Sequence, residues 1–223
     1  MKTKGKQVIA SFCSIFFIFA AGVFAQSNKL SGAVEGGLGF RSLSGNELVD
    51  NNTKSDLGYT FGVSGQYSFS ENYSLKAGLY FQKKGAKANT NNTDSLGNPT
   101  GTSDIKINFN YLTIPVLFKS TFGSGLKFFV NAGPYLGILL SAKDEIPAIG
   151  NQPANTIDTK EITESIDFGL TGGIGIIIPA GKKLGISIEI RDDLGLVNIS
   201  KAPVYNGGTL KNNTLNFIAG IVF

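Results

Sequence analysis

Histidine and tryptophan are both missing from this sequence of 223 residues, and cysteine occurs once. Without histidine no Ser-His or His-Asp pair can activate a nucleophile or a water, since no other side chain titrates unperturbed near neutral pH. Enzymes built on such pairs are excluded, and no catalytic residue or cofactor site is expected. The lone Cys13 lies in an N-terminal apolar run. Once that run is removed, the chain has no disulfide, no thiol chemistry and no N/S ligands for zinc or copper. Beyond residue 25 no apolar run reaches 18 residues, which excludes membrane-spanning helices.

The N-terminal run has the form of an export signal. Lys2, Lys4 and Lys6 precede the apolar stretch Val8 to Phe24, and Val23-Phe24-Ala25 places small residues three and one before a cut. The sequence predicts a cleaved signal peptide over 1–25 and a single domain over 26–223. A retained helix is the competing reading, but no basic stop-transfer cluster follows it. Phe12, just before Cys13, stands where a lipidation site needs a small residue. Without the three signal lysines the 20 basic residues fall to 17, against 16 acidic ones, so no electrostatic case for nucleic acid remains.

What the chain does contain is alternation. In the stretch Asp167 to Arg191, Phe168, Leu170, Ile174, Ile176 and Ile178 share one parity, while Asp167, Gly169, Thr171, Gly173 and Gly175 share the other. After a turn at Pro179 to Lys182, Leu184, Ile186, Ile188 and Ile190 alternate with Gly185, Ser187, Glu189 and Arg191. This is a hairpin with one apolar face and one small, polar face. A soluble sandwich buries its apolar face, but here the polar face carries the full charges and must point inward. That inversion belongs to a barrel whose outside meets lipid.

The same pattern recurs along the chain. Strands are predicted over Ala33–Arg41, Leu57–Phe69, Tyr73–Lys84, Ile105–Lys119, Phe128–Leu140 and, at the end, Leu215–Phe223. Within Ile105–Lys119 the apolar parity passes from Ile107, Phe109 and Tyr111 to Leu112, Ile114, Val116 and Phe118, so a bulge near Tyr111 is expected, with Pro115 tolerated beside it. The polar stretch Gly85 to Asp104 is expected to be a mobile loop. Eight strands with connectors alternating long and short give an all-β fold, an eight-stranded antiparallel up-and-down transmembrane β-barrel, with both termini at the short-turn end. No charged residue interrupts the apolar parity in the middle of these strands.

The segments NYLTIPVLFK (Asn110 to Lys119), NAGPYLGILLSAK (Asn131 to Lys143), DFGLTGGIGI (Asp167 to Ile176) and LNFIAGIVF (Leu215 to Phe223) resemble the PorT-like outer-membrane β-barrel family of Bacteroidetes. The resemblance covers essentially all of the mature chain. It implies an eight-stranded barrel in the cell outer membrane and brings no shared catalytic residues. A secretion role is attached to a subset of the family. The expected role is non-enzymatic, in envelope structure or surface interaction. A narrow pore or an accessory of a transport or secretion system is the alternative. Expected partners are outer-membrane lipid and, through the long loops, extracellular or secretion-system proteins.

Other motifs have plainer explanations. Gly172-Gly173-x-Gly175 does not sit at a strand-to-helix junction, so it reads as crowding in a narrow lumen rather than a nucleotide fingerprint. Ala180-Gly181-Lys182-Lys183 lacks the remaining residues of a phosphate loop. The loop from Asn91 to Asn98 lacks the spaced carboxylates of a calcium site. The candidate site is a lumen charge network of Lys76, Asp167, Glu189 and Arg191, in a barrel only wide enough for side chains or one small ligand. Within it, Asp167 is expected to pair with Arg191 across the hairpin.

Overall fold

The computed structural model describes residues 29–93, 99–148, 153–181 and 184–223, so the expected export signal over 1–25 lies outside the described residues. Eight long strands form the wall: β1 (Leu30–Ser44), β3 (Asp56–Ser68), β4 (Tyr73–Thr93), β5 (Pro99–Phe122), β6 (Lys127–Ile146), β8 (Ile166–Pro179), β9 (Gly185–Gly195) and β10 (Lys211–Val222). Two short strands, β2 (Thr53–Lys54) and β7 (Asn155–Asp158), add to β4 and β6 at one end. Each wall strand pairs antiparallel with its neighbours in the order β3-β1-β10-β9-β8-β6-β5-β4, and β4 pairs with β3 to close the ring. Closure leaves no unpaired edge along the wall, the condition for a sheet to cross lipid.

The alternation fixes which face is wet. Leu38, Phe61, Leu79, Phe118, Val130, Ile174, Ile188 and Phe217 project outward and are exposed, while Glu35, Lys76, Gln82, Asn131, Glu189 and Arg191 of the opposite parity are buried inside. Aromatic side chains stack across neighbouring strands on the outer face, as in Phe61 on Phe81 with centroids 5.2 Å apart and Tyr73 on Phe118 at 5.6 Å. Some outward positions near the long-loop end carry charge, Lys83 on β4 and Lys211 on β10 among them. Because β9 runs on to Gly195, past the expected end of its strand, Asp192 faces out between Ile190 and Leu194, opposite Gly172 on β8 and Leu215 on β10. Asp192 lies beyond the predicted strand, which ends at Arg191, and so outside the expectation that no charge interrupts the apolar parity in mid-strand.

Two other expectations need correction. The stretch from Gly85 to Asp104 is no plain loop: β4 and β5 stay paired from Gly85–Asn108 out to Asn92–Gly101. Backbone hydrogen bonds hold this ladder and need no apolar side chains, so its polar composition misleads. Nor does β5 change parity at Tyr111. The register does shift between Asn110 and Tyr111, but Asn110 pairs with Ser141 and Tyr111 with Leu139, so Leu140 of β6 is the extra residue. Ile107, Phe109 and Tyr111 consequently all stay on the inward face. There Phe109 and Tyr111 join Leu43, Ala86, Leu139, Ala142 and Ile199 in an apolar plug at the long-loop end. A short helix, α1 (Glu47–Asn52), capped by the Asn46 side chain on the Val49 amide at 3.0 Å, lies over it and contributes Val49.

Candidate functional site in the barrel lumen

Below the apolar plug the lumen is filled by charge. Lys76 on β4 bonds Glu35 on β1 at 2.6 Å and approaches Glu189 on β9 at 3.6 Å. Arg191 grips the same Glu189 with two parallel bonds, Nε to Oε1 at 2.8 Å and Nη2 to Oε2 at 2.7 Å. Asn131 donates to Glu189 at 2.9 Å, Ser64 donates to Glu35 at 2.9 Å, and the Tyr80 hydroxyl makes a short bond to Glu35. The Arg191 guanidinium lies 5.3 Å from the centre of the Tyr80 ring.

β4 and β9 stand opposite each other in the ring, with three wall strands between them on either side. Lys76 to Glu189 and Arg191 to Tyr80 therefore span the full diameter. So does Gln82 on β4, which donates to Asp193 on β9 at 2.6 Å and accepts from Thr113 at 3.0 Å. Space for this network comes from glycine. A Cβ on Gly173 would stand 2.7 Å from Glu189 Oε1, and one on Gly175 would stand 2.4 Å from the Phe129 ring. The glycine triplet is thus a packing device of the lumen.

Of the four residues singled out in the sequence, Lys76, Glu189 and Arg191 meet, but Asp167 does not join them. The hairpin register places Arg191 opposite Gly173, six residues along β8 from Asp167, or about 20 Å of strand. The expected pair of Asp167 with Arg191 does not form. Asp167 instead sits near the plug, where one carboxylate oxygen accepts from Lys84 at 3.1 Å, Tyr135 at 3.2 Å and Asn212 at 3.1 Å. Lys84 and Asp167 are both fully buried, and the Lys84 ammonium lies 4.0 Å from the Tyr135 ring centre.

Sequence reasoning missed Glu35, Arg41, Lys84, Lys119 and Asp193. Arg41, fully buried, pairs with Asp56 and donates to the carbonyls of Lys84 at 2.7 Å and Ile107 at 3.2 Å. All five lie on inward parity, a signal present in the sequence. With half-buried Asp56 included, Glu35, Asp56, Asp167, Glu189 and Asp193 balance Arg41, Lys76, Lys84, Lys119 and Arg191. Among the described residues no cluster of His, Cys, Asp and Glu has the arrangement of a metal site. The arrangement locks strands together across the lumen.

The family described as "Outer membrane protein beta-barrel domain" matches residues 24–201. This chain belongs to that family. The outer-membrane barrel is also similar to several solved structures. Neisserial surface protein A is 13% identical over 86% of this chain and 95% of its own, with a TM-score of 0.45. OprG from Pseudomonas aeruginosa is 10% identical over 86% of this chain and 95% of its own, with a TM-score of 0.46. Outer Membrane Protein W of E. coli is 13% identical over 89% of this chain and all of its own, with a TM-score of 0.42. No curated protein matches the chain. The protein is an outer-membrane β-barrel, and for that class short turns face the periplasm and long loops face outward.

Proposed function

We propose that this protein is a non-enzymatic, non-conducting barrel that serves envelope structure or surface interaction through its long-loop end. The observation that carries the reading is the set of contacts between β4 and β9 across the whole lumen diameter, beneath an apolar plug. An open channel needs a continuous column of water, and here fully buried ion pairs and side-chain amides occupy its path. The interior of an eight-stranded barrel is narrow enough for side chains to fill it. Planar-bilayer recording of the refolded barrel tests the reading. Silence is expected, and stable unitary conductance would sink it.

A second reading is a role as accessory to a secretion machine. It is favoured by the resemblance of Asn110 to Lys119, Asn131 to Lys143, Asp167 to Ile176 and Leu215 to Phe223 to PorT-like barrels. Mild extraction of the native protein from intact outer membranes distinguishes the two. Co-purification with a stoichiometric periplasmic or inner-membrane assembly supports the accessory role, and recovery as a free barrel supports the structural one.

A further inference from the structure

The short-turn end of the barrel is hollow. A cavity of about 340 Å³ opens there, and all eight wall strands contribute to its lining. Its walls divide by chemistry. Ser31, Gln66, Ser68, Ser74 and Thr121 from β1, β3, β4 and β5 form a hydroxyl and amide arc, while Ile177, Pro179, Leu184 and Val222 on the other side form an apolar one. Glu71 and Lys127 stand at the rim with opposite charges. Inward, the cavity narrows to a neck of about 10 Å³ whose lining includes Glu35, Gln66, Lys76, Lys119 and Phe129.

Lys119 closes this neck without a direct ion pair among the described residues. It is 4% exposed. Its ammonium donates to Gln66 Oε1 at 3.2 Å and lies 4.0 Å from the Phe129 ring centre. The carboxylates below it are already engaged, Glu35 by Lys76 and Glu189 by Arg191. An ammonium has three donors, and among the described residues Gln66 is the one side chain that Lys119 bonds. A buried cation without a direct ion-pair partner is unfavourable, and an anion brought to it is correspondingly favoured.

We propose that this periplasm-facing cup binds an amphipathic carboxylate, with the carboxylate at Lys119 and Gln66, polar backbone along the serine arc and an apolar side chain against Ile177, Leu184 and Val222. The C-terminal residue of a peptide has this chemistry, as does a free N-acyl amino acid. Among the described residues the charged lining of the neck, Glu35, Lys76 and Lys119, sums to one positive charge, which favours a monoanion over a phosphate-like dianion. The volume lies at the small end of ligand pockets and holds one or two residues. Lys119 reaches the ligand by a rotamer change of its flexible stem through the neck beside Gln66.

Calorimetric titration of the full mature barrel, refolded in uncharged micelles, tests the site. The probes are N-acetyl-Gly-Leu as free acid and as C-terminal amide. The acid is expected to bind one to one and the amide about tenfold more weakly, because it lacks the charge-assisted bond. Lys119→Met should lose the same factor. Ser68→Phe, which fills the cup and leaves Lys119 untouched, should abolish binding, so the test survives if the lysine variant misfolds. Equal binding of acid and amide, no binding of either, or unchanged binding by the Ser68→Phe protein would overturn the proposal. N-acetyl-leucine binding as well as N-acetyl-Gly-Gly-Leu identifies a free small carboxylate as the ligand, and tighter binding of the longer probe identifies a chain terminus. Conductance reports on the lumen and titration on the cup, so the two readings can fail separately.

Discussion

Arg191 folds back along the inward face of β9 to hold both oxygens of Glu189, two residues earlier on the same strand. Lys76 and Asn131 reach the same carboxylate from β4 and β6, so a single acid ties three parts of the wall together. Arg191→Ala leaves Glu189 buried with less compensation and should lower stability by about 3 to 5 kcal/mol. Urea titration of folding into lipid vesicles measures this. The double variant with Glu189→Ala should lose less than the two single changes combined. By contrast, Arg191→Ala and Asp167→Ala should combine additively to within about 0.5 kcal/mol, because the two residues share no partner.

Lys84 supplies the one full positive charge bonded to Asp167, with neutral donors Tyr135 and Asn212 beside it. Lys84→Met should cost about 3 kcal/mol or more in the same assay. Adding Asp167→Asn removes the stranded charge and should restore part of that loss. A Lys84→Met protein as stable as the parent would mean that water reaches this level of the lumen.

Asp192 faces outward among Ile190, Leu194 and Leu215, and it has no ion pair among the described residues. Replacing it with leucine should strengthen folding into vesicles by roughly 1 to 2 kcal/mol, less than the 2 to 4 kcal/mol associated with a basic residue at mid-membrane. In detergent the gain should shrink, since micelles relax around a polar group. Destabilisation in both environments would show that this carboxylate has a partner in the membrane.

The long connectors, including that between Ile146 and Ile166, lie at the end opposite the turns at 69–72 and 123–126. Protease added to whole cells should cut near Asn91 and Gln152 and spare Asn72 and Gly123. After the outer membrane is permeabilised, the short turns should become the only new sites of attack. Cutting first at Asn72 or Gly123 in intact cells would reverse the orientation.

Two-residue alternation made the wall legible, because lipid tolerates only one parity and every strand had to comply. Outward Ile174 and Ile188 and inward Glu189 and Arg191 can be read from the sequence in this way. Alternation gives no information about partners across the lumen. Those depend on the stagger of eight strands, so Gln82 meeting Asp193, and Lys84 rather than Arg191 meeting Asp167, could not be found from local spacing. Glu35 was readable by parity, yet the glycine-rich strand around it offers few apolar markers to draw attention to it. Asp192 was hidden by placing a strand end where β9 continues. The parity of Ile107, Phe109 and Tyr111 misled for a different reason: these apolar residues fill the lumen mouth rather than face lipid.

The paired hairpin of β4 and β5 keeps its ladder for eight residues past Gly85, roughly 25 Å along the strand. Such a ribbon acts as a lever with one end clamped in the wall by Arg41, which bonds the carbonyls of Lys84 and Ile107 on its two strands. At its base the ribbon is tied to the Arg41 guanidinium and, through the Lys84 side chain, to Asp167 near the plug. Whatever grasps this ribbon from outside the cell pulls on the strand that carries Lys84, one half of a fully buried ion pair.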